Sequence, residues 1–309
     1  MTTIAQITNL VNCSLASVYG TGSKGCKAFF KNVSSVWLTE RGFKFDPAEV
    51  LDETYIQLLQ AQGKLIILKG TTGFTDNSED TVIETLEDGT KQVIRKGLYE
   101  FGFEFIGGIY YQQALNSLNS FQQYDLSLVD SANNILNTLA EDGSVKGLST
   151  TMIQVGGLTF ATGSVGLKNG LTIQLEDADE IDDTFSFISG ASLAPYRPKN
   201  ADGVNEVSLV YNTAPADSAT TLVVKATLKQ GGGIFAGALI GNFLIKVNGA
   251  TVTPSAIAEA SGVYTLTIAA IATNEVVTVD LYNVADSREG IILDGAVYKS
   301  NTITATVVA

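Results

Sequence analysis

Six carboxylates fall within eight residues at Glu176-Asp177-Ala178-Asp179-Glu180-Ile181-Asp182-Asp183. Hard cations such as calcium take oxygen ligands of this kind. The spacing departs from the EF-hand loop, and no glycine stands at the turn position that loop needs. The stretch therefore reads as a solvated acidic loop, with an electrostatic lining or a subunit contact as the other reading. Gly20-Thr21-Gly22-Ser23-Lys24-Gly25 has the glycines and lysine of a phosphate loop without its spacing. No strong strand precedes it and no good helix follows. Gly231-Gly232-Gly233 likewise has no helix to aim at a phosphate. The chain has no histidine. That removes the commonest general base and the commonest metal ligand. Cys13 and Cys26 are the two cysteines and read as free thiols rather than a disulfide framework. Tyr110, Tyr111 and the aromatics from Tyr99 to Phe105 read as core, because a base-stacking platform needs basic neighbours. No catalytic, cofactor-binding or metal-binding residue is assigned, no cofactor is expected, and the chain does not read as an enzyme.

The composition points the same way. Among 309 residues, 19 are basic and 32 acidic, a formal net charge of −13. A chain this acidic does not grip phosphate backbones by counterion release. The 45% hydrophobic share is that of a globular protein. The N-terminus lacks the basic and apolar regions of a secretory signal. The most apolar window, Gly231 to Ile245, is too short to span a bilayer. The protein is expected to be soluble when made.

A cluster from Pro195 to Gly203 marks a linker between two domains, 1–198 and 204–309. Residues up to 202 include 14 basic and 24 acidic side chains, and those after it 5 and 8, so the charge divides as −10 and −3. The first domain is α+β. Ile4, Ile7, Leu10 and Val11 make a short helix or arm. Residues 28–38 read as a strand pair or one bent strand, and 65–68 as a short buried strand. A helix is predicted over 47–62, capped by Asp46, with Pro47 at its first position and Gly63 at its stop. Thr81 to Leu86 and Lys91 to Phe105 flank Glu87-Asp88-Gly89-Thr90, a strong hairpin signal. Tyr99, Phe101, Phe103 and Phe105 share one face of the second arm, with Glu100, Gly102 and Glu104 on the other. A helix over 110–121 and strands over 124–129, 135–139, 145–154 and 171–175 follow. The second domain is almost purely β, with strands at 221–228, 243–247, 263–268, 276–282 and 302–308. Asn248-Gly249 and Ser261-Gly262 supply turns. About seven short strands fit an immunoglobulin-like sandwich.

A hairpin as long as 81–105 exposes edges that a partner normally protects. With that hairpin, the helix after it and the later run YDLSLVDSANNIL…EDGSVKGLS at 124–149, the first domain resembles the tail-tube proteins of tailed bacteriophages. The resemblance implies a tail-tube-like β-sandwich or barrel with flanking helices, followed by an Ig-like decoration. It implies a structural virion protein that assembles with itself into stacked rings, with other virion proteins as partners. DNA would pass through the tube without specific binding, repelled by the acidic first domain, with Glu100 and Glu104 as candidates for the lumen. The expected place is the virion tail, after synthesis in the host cytoplasm, with no membrane span. The alternative is another virion component, in the capsid, its decoration or the baseplate.

Overall fold

The computed structural model describes residues 3–11, 29–119, 123–164, 166–285 and 287–308. The chain is mainly β. Its contacts divide it into two compact units, Met1–Ile56 with Lys64–Asp202 and Gln57–Gly63 with Gly203–Ala309. The stretch read as a linker lies just before the division at residue 202, and part of it is packed. Pro198–Asn200 forms a 3-10 turn with Pro198 buried. Lys199 donates from its backbone N–H to Asn133 Oδ1 at 3.4 Å and from Nζ to the Ser131 carbonyl at 3.0 Å. Prolines remove conformations as well as helices, and here they fix a path over the surface.

The first unit contains α1 (Ile4–Val11), β1 (Val33–Glu40), β2 (Leu65–Lys69), β3 (Thr71–Asp76), β4 (Val82–Thr85), β5 (Lys91–Arg95) and β6 (Glu100–Phe105). It continues with α3 (Gly108–Asn116), β7 (Tyr124–Asp130), β8 (Ile135–Leu139), β9 (Val145–Lys146), β10 (Leu148–Val155), β11 (Asn169–Leu175), α4 (Asp179–Asp182) and β12 (Phe185–Ile188). Between β1 and β2 lies α2 (Glu53–Ala61). This helix starts later than predicted. Asp46 caps only a turn, accepting from the Ala48 N–H at 2.9 Å, while Asp52 Oδ1 accepts from the Tyr55 N–H at 2.9 Å and caps the helix proper. Two acidic residues compete for the cap, and the one three residues before a hydrogen-bonded N–H wins.

β2, β1, β7, β8 and β12 form one antiparallel run. β3, β6, β11 and β10 form a second. β10 belongs to both. Leu148 and Ser149 pair with Leu126 and Asp125 of β7, and the rest of the strand pairs with β11. The core lies between the two runs. Phe101, Phe103 and Phe105 of β6 and Leu171, Ile173 and Leu175 of β11 meet Val36, Leu38, Leu126 and Leu128 of the other run. Strict alternation puts these side chains on one face of each strand.

The opposite face of β1 and β7 is also buried, although it is polar. Ser35, Trp37, Thr39, Asp125 and Ser127 are each 0% exposed. Trp37 stands opposite Ser127, and Asn137 opposite Ser186. Among the described residues, Trp37 Nε1, Asp125 Oδ1, Ser127 Oγ, Asn137 Oδ1 and Ser186 Oγ have no hydrogen-bond partner. Burial raises the pKa of the Asp125 carboxyl, partly offset by the N–H of Gly42, which donates to its Oδ2 at 2.8 Å.

The second unit has one six-stranded sheet, in which β13 (Asn205–Thr213), β14 (Thr221–Leu228), β17 (Ala256–Ala260), β18 (Val263–Thr267), β21 (Ile291–Leu293) and β22 (Ala296–Ser300) take part. The facing sheet contains β15 (Phe243–Val247), β16 (Ala250–Val252), β19 (Val276–Asn283), β20 (Arg288–Glu289) and β23 (Ile303–Thr306). Leu222 and Val224 of the first sheet share a core with Ile245 and Val279 of the second. Asn248-Gly249 and Ser261-Gly262 both take positive φ at both positions, the left-handed pair that two-residue hairpins require.

Candidate assembly interface

The predicted hairpin is longer than its sequence signal and is broken in the middle. Its first arm begins at Thr71, not Thr81, because β3 pairs with β6 along Phe74↔Phe103 and Asp76↔Phe101. The ladder continues outward through Asn77 N–H to the Glu100 carbonyl at 2.8 Å and Glu79 N–H to the Leu98 carbonyl at 3.1 Å. It ends in β4 and β5, which pair only with each other. The predicted continuous arm from Lys91 to Phe105 is therefore two strands separated at residues 96–99. The two arms stay close at this break. A Cβ on Gly97 would lie 1.8 Å from the Glu79 carbonyl oxygen, so the two arms approach there only because residue 97 is glycine.

The turn is a three-residue one. Leu86 exchanges hydrogen bonds with Thr90 and Gly89, and Gly89 takes φ +83°. Asp88 Oδ1 accepts from the Thr90 N–H at 2.9 Å and from its hydroxyl at 2.6 Å, which locks the loop.

The inner and outer halves differ in burial. Phe101, Phe103 and Phe105 are buried, and Phe74 packs on the rings of Phe101 and Phe103 with centroids 5.6 Å away. Every residue of β4 and β5 is exposed. Val82, Ile83, Leu86, Val93 and Ile94 are 43%, 55%, 43%, 60% and 55% exposed. A two-stranded hairpin with no sheet behind it is marginal in water. One such hairpin thus exposes five large apolar side chains.

The acidic loop holds the base of this hairpin. Lys96 Nζ makes ion pairs with Asp179 and with Asp182, the latter at 2.7 Å. Tyr99 donates its hydroxyl to Asp182 Oδ1 at 2.6 Å. Hydrogen bonds first from Lys96 and then from Tyr99 hold the Asp182 carboxyl below its ordinary pKa. The same contacts, Asp179 first, raise the Lys96 ammonium, and the bond to Asp182 raises the Tyr99 phenol. Glu180 turns inward and is 9% exposed. Its carboxylate accepts from Lys146 Nζ at 2.7 Å and from Ser149 Oγ at 2.9 Å and N–H at 2.5 Å. Glu176 pairs with Arg41. These carboxylates are spoken for by cations and N–H groups of the chain itself. Among the described residues, no three metal-ligating side chains group together.

The other sequence candidates separate. Gly20 to Gly25, Cys13, Cys26 and Phe121 lie outside the described residues. Gly231 and Gly232 take positive φ in a tight turn after β14, and Phe235 then enters the core. Tyr110, expected in the core, is 65% exposed. Glu100 and Glu104 alternate with the core phenylalanines on the outer face of β6, half-buried, and Glu104 holds Lys168 at 2.6 Å. In the second unit an apolar dent of about 60 Å³, lined by Ile240, Phe243, Val252, Pro254 and Val284, is far below the size of a small-molecule site. No described helix is long and apolar enough to cross a membrane.

No protein-family model matches the chain, and no curated protein matches it. Among solved structures it shows a slight likeness to SGBP-B of the Bacteroides ovatus mixed-linkage glucan utilization locus, in complex with a mixed-linkage heptasaccharide. Identity is 12%, the TM-score is 0.20, and the match covers 79% of this chain and 62% of that one. A likeness of this size carries no argument about fold or function.

Proposed function

We propose that the protein is a structural, non-enzymatic subunit that assembles with copies of itself, in the manner of the tail-tube proteins of tailed bacteriophages. The observation that carries this reading is the outer half of the long hairpin, whose two strands pair only with each other and expose five large apolar side chains. Among the described residues β3 and β12 each pair with one strand of their sheet, which supports it, since a second copy can supply another. In this reading the half-buried polar face bearing Glu100 and Glu104 lines the conduit, where carboxylates repel DNA phosphates. The cation beside them, Lys168, is already tied to Glu104. The second unit is an immunoglobulin-like decoration. Two sheets over one core support that assignment.

Negative-stain electron microscopy of the purified, concentrated protein tests the proposal. Stacked rings or tubes are the expected result. Monomers at every concentration overturn it, and closed shells replace it with a capsid reading.

A further inference from the structure

The buried polar face of the first unit is organised as one line across its strands. Residues directly opposite each other in an antiparallel pair project to the same side. Trp37 of β1 is opposite Ser127 of β7, and Asn137 of β8 is opposite Ser186 of β12. Leu128 pairs with Leu136, and both pack on the core, so Ser127 and Asn137 are the next residues on the two strands and face the other way. Trp37, Ser127, Asn137 and Ser186 thus form a row over four strands, and they are 0%, 0%, 1% and 2% exposed. Asp125 lies two residues before Ser127 on the same face, also buried. At this row the ladder forks. Leu126 turns to Leu148 of β10, while Thr138 turns to Lys146 of β9. Gly147 sits in the fork. A Cβ there would lie 2.8 Å from the Asp125 Cβ, so no side chain of the wedge can fill the polar face.

The row has unused hydrogen-bonding capacity of both kinds. Trp37 Nε1 only donates, Asn137 Oδ1 and Asp125 Oδ1 accept, and the Ser127 and Ser186 hydroxyls do both. None of the five has a partner, although Trp37 faces Ser127 and Asn137 faces Ser186. Their neighbours on the same face behave differently. Ser35 and Thr39, on either side of Trp37, donate their hydroxyls to the carbonyls of Leu68 at 3.3 Å and Asp125 at 3.4 Å. Five buried polar atoms left dry would together cost an amount that rivals the whole stability of a domain. A partner that donates and accepts in equal measure serves all of them. Water does so, and two hydrogen bonds of about 2.8 Å reach across the spacing of about 4.8 Å between strands.

We propose that this row is an internal water-binding site, in which ordered waters bridge Trp37 Nε1, Ser127 Oγ, Asn137 Oδ1 and Ser186 Oγ and reach the free oxygen of Asp125. Internal waters of this kind are part of a fold and are costly to remove. The site lies wholly within the first unit and is independent of the self-assembly reading.

Trp37 is the single tryptophan of the chain, so one indole signal reports on the row. The test is NMR of the full chain labelled with 15N-tryptophan, in solution or, for large assemblies, under magic-angle spinning. A direct dipolar cross-peak between the indole N–H and water is expected in the wild type. It is expected to persist in Ser127→Ala, because the bridging water remains. In S127V/N137L, where apolar side chains fill the row, it is expected to vanish, and tryptophan emission is expected to move to shorter wavelength. Circular dichroism checks that the variants are folded. A wild type without the cross-peak overturns the inference. A cross-peak that disappears in Ser127→Ala also overturns it, since the signal would then come from the serine hydroxyl bonded directly to the indole. These two measurements decide the matter even if the double variant fails to fold.

Discussion

The inner and outer halves of the long hairpin share one ladder and one kind of sequence, yet they have opposite fates. Val82-Ile83-Glu84-Thr85 is rich in β-branched residues, and Glu100-Phe101-Gly102-Phe103 in aromatic ones. One is exposed along its whole length, and the other buries every second side chain. Strand propensity is local, and both segments satisfy it. Burial is decided by what lies behind the strand. β6 has β11 beside it and β1 across the core, whereas β4 and β5 have only each other. Stability is stored in the inner half, and the outer half is available for association.

Substitutions can break this comparison. Phe103→Ala removes a ring that is 2% exposed and should cost about 3–5 kcal/mol in urea unfolding. A loss below about 1 kcal/mol would mean that the inner half is not the structural one. Glu180→Ala strands Lys146, whose side chain is 20% exposed, and should cost about 3 kcal/mol by the same measurement. Lys96→Met breaks only the exposed part of the acidic loop and should leave the unfolding midpoint in place, while amide exchange at the hairpin base speeds up.

Acid sharpens the point. The folded pKa of Asp182 is lowered, so its contribution is complete above its unfolded value near about 4 and is lost as pH falls through the lowered value. The Glu79 amide, bonded to Leu98, should lose protection over that acid range, relative to β11 amides and after correction for intrinsic rates. Equal loss at both places would show that Asp182 does not clamp the hairpin. The smallest effect is expected at Ile83→Thr, within about 0.5 kcal/mol of wild type in urea unfolding of the monomer. A larger loss would mean that the outer half contributes to the fold after all.

The hairpin was readable in the sequence because Asp88-Gly89 sits between alternating runs, and because a glycine at the bulge is a strong local signal. The start of its first arm was not. Thr71-Thr72-Gly73-Phe74-Thr75-Asp76 has one large apolar residue, and β3 forms because β6 offers it an edge. Residues 185–188 were missed for a related reason, since four residues are too few for a period to show. The helix at 47–62 was placed too early because Asp46-Pro47 carries start chemistry that Asp52 carries as well. The buried polar face was the hardest to foresee. Ser35, Thr39, Asp125 and Ser127 alternate with apolar residues as they would on a solvated face, and alternation records the pattern without saying what covers it. In the acidic loop, composition gave the carboxylates, but their cations lie 34 residues away at Lys146 and 83 at Lys96. Pairings of that range are set by the fold.

β10 has a mechanical consequence. Because Leu148 and Ser149 sit in one run of strands and the rest of the strand in the other, a load on the hairpin has a continuous route into the body. It passes from β6 to β11 and then to β10 through backbone hydrogen bonds, and arrives at Leu126 and Asp125 in β7, which is buried along its full length. A tug on the outermost part of the first unit is therefore carried by its innermost strand.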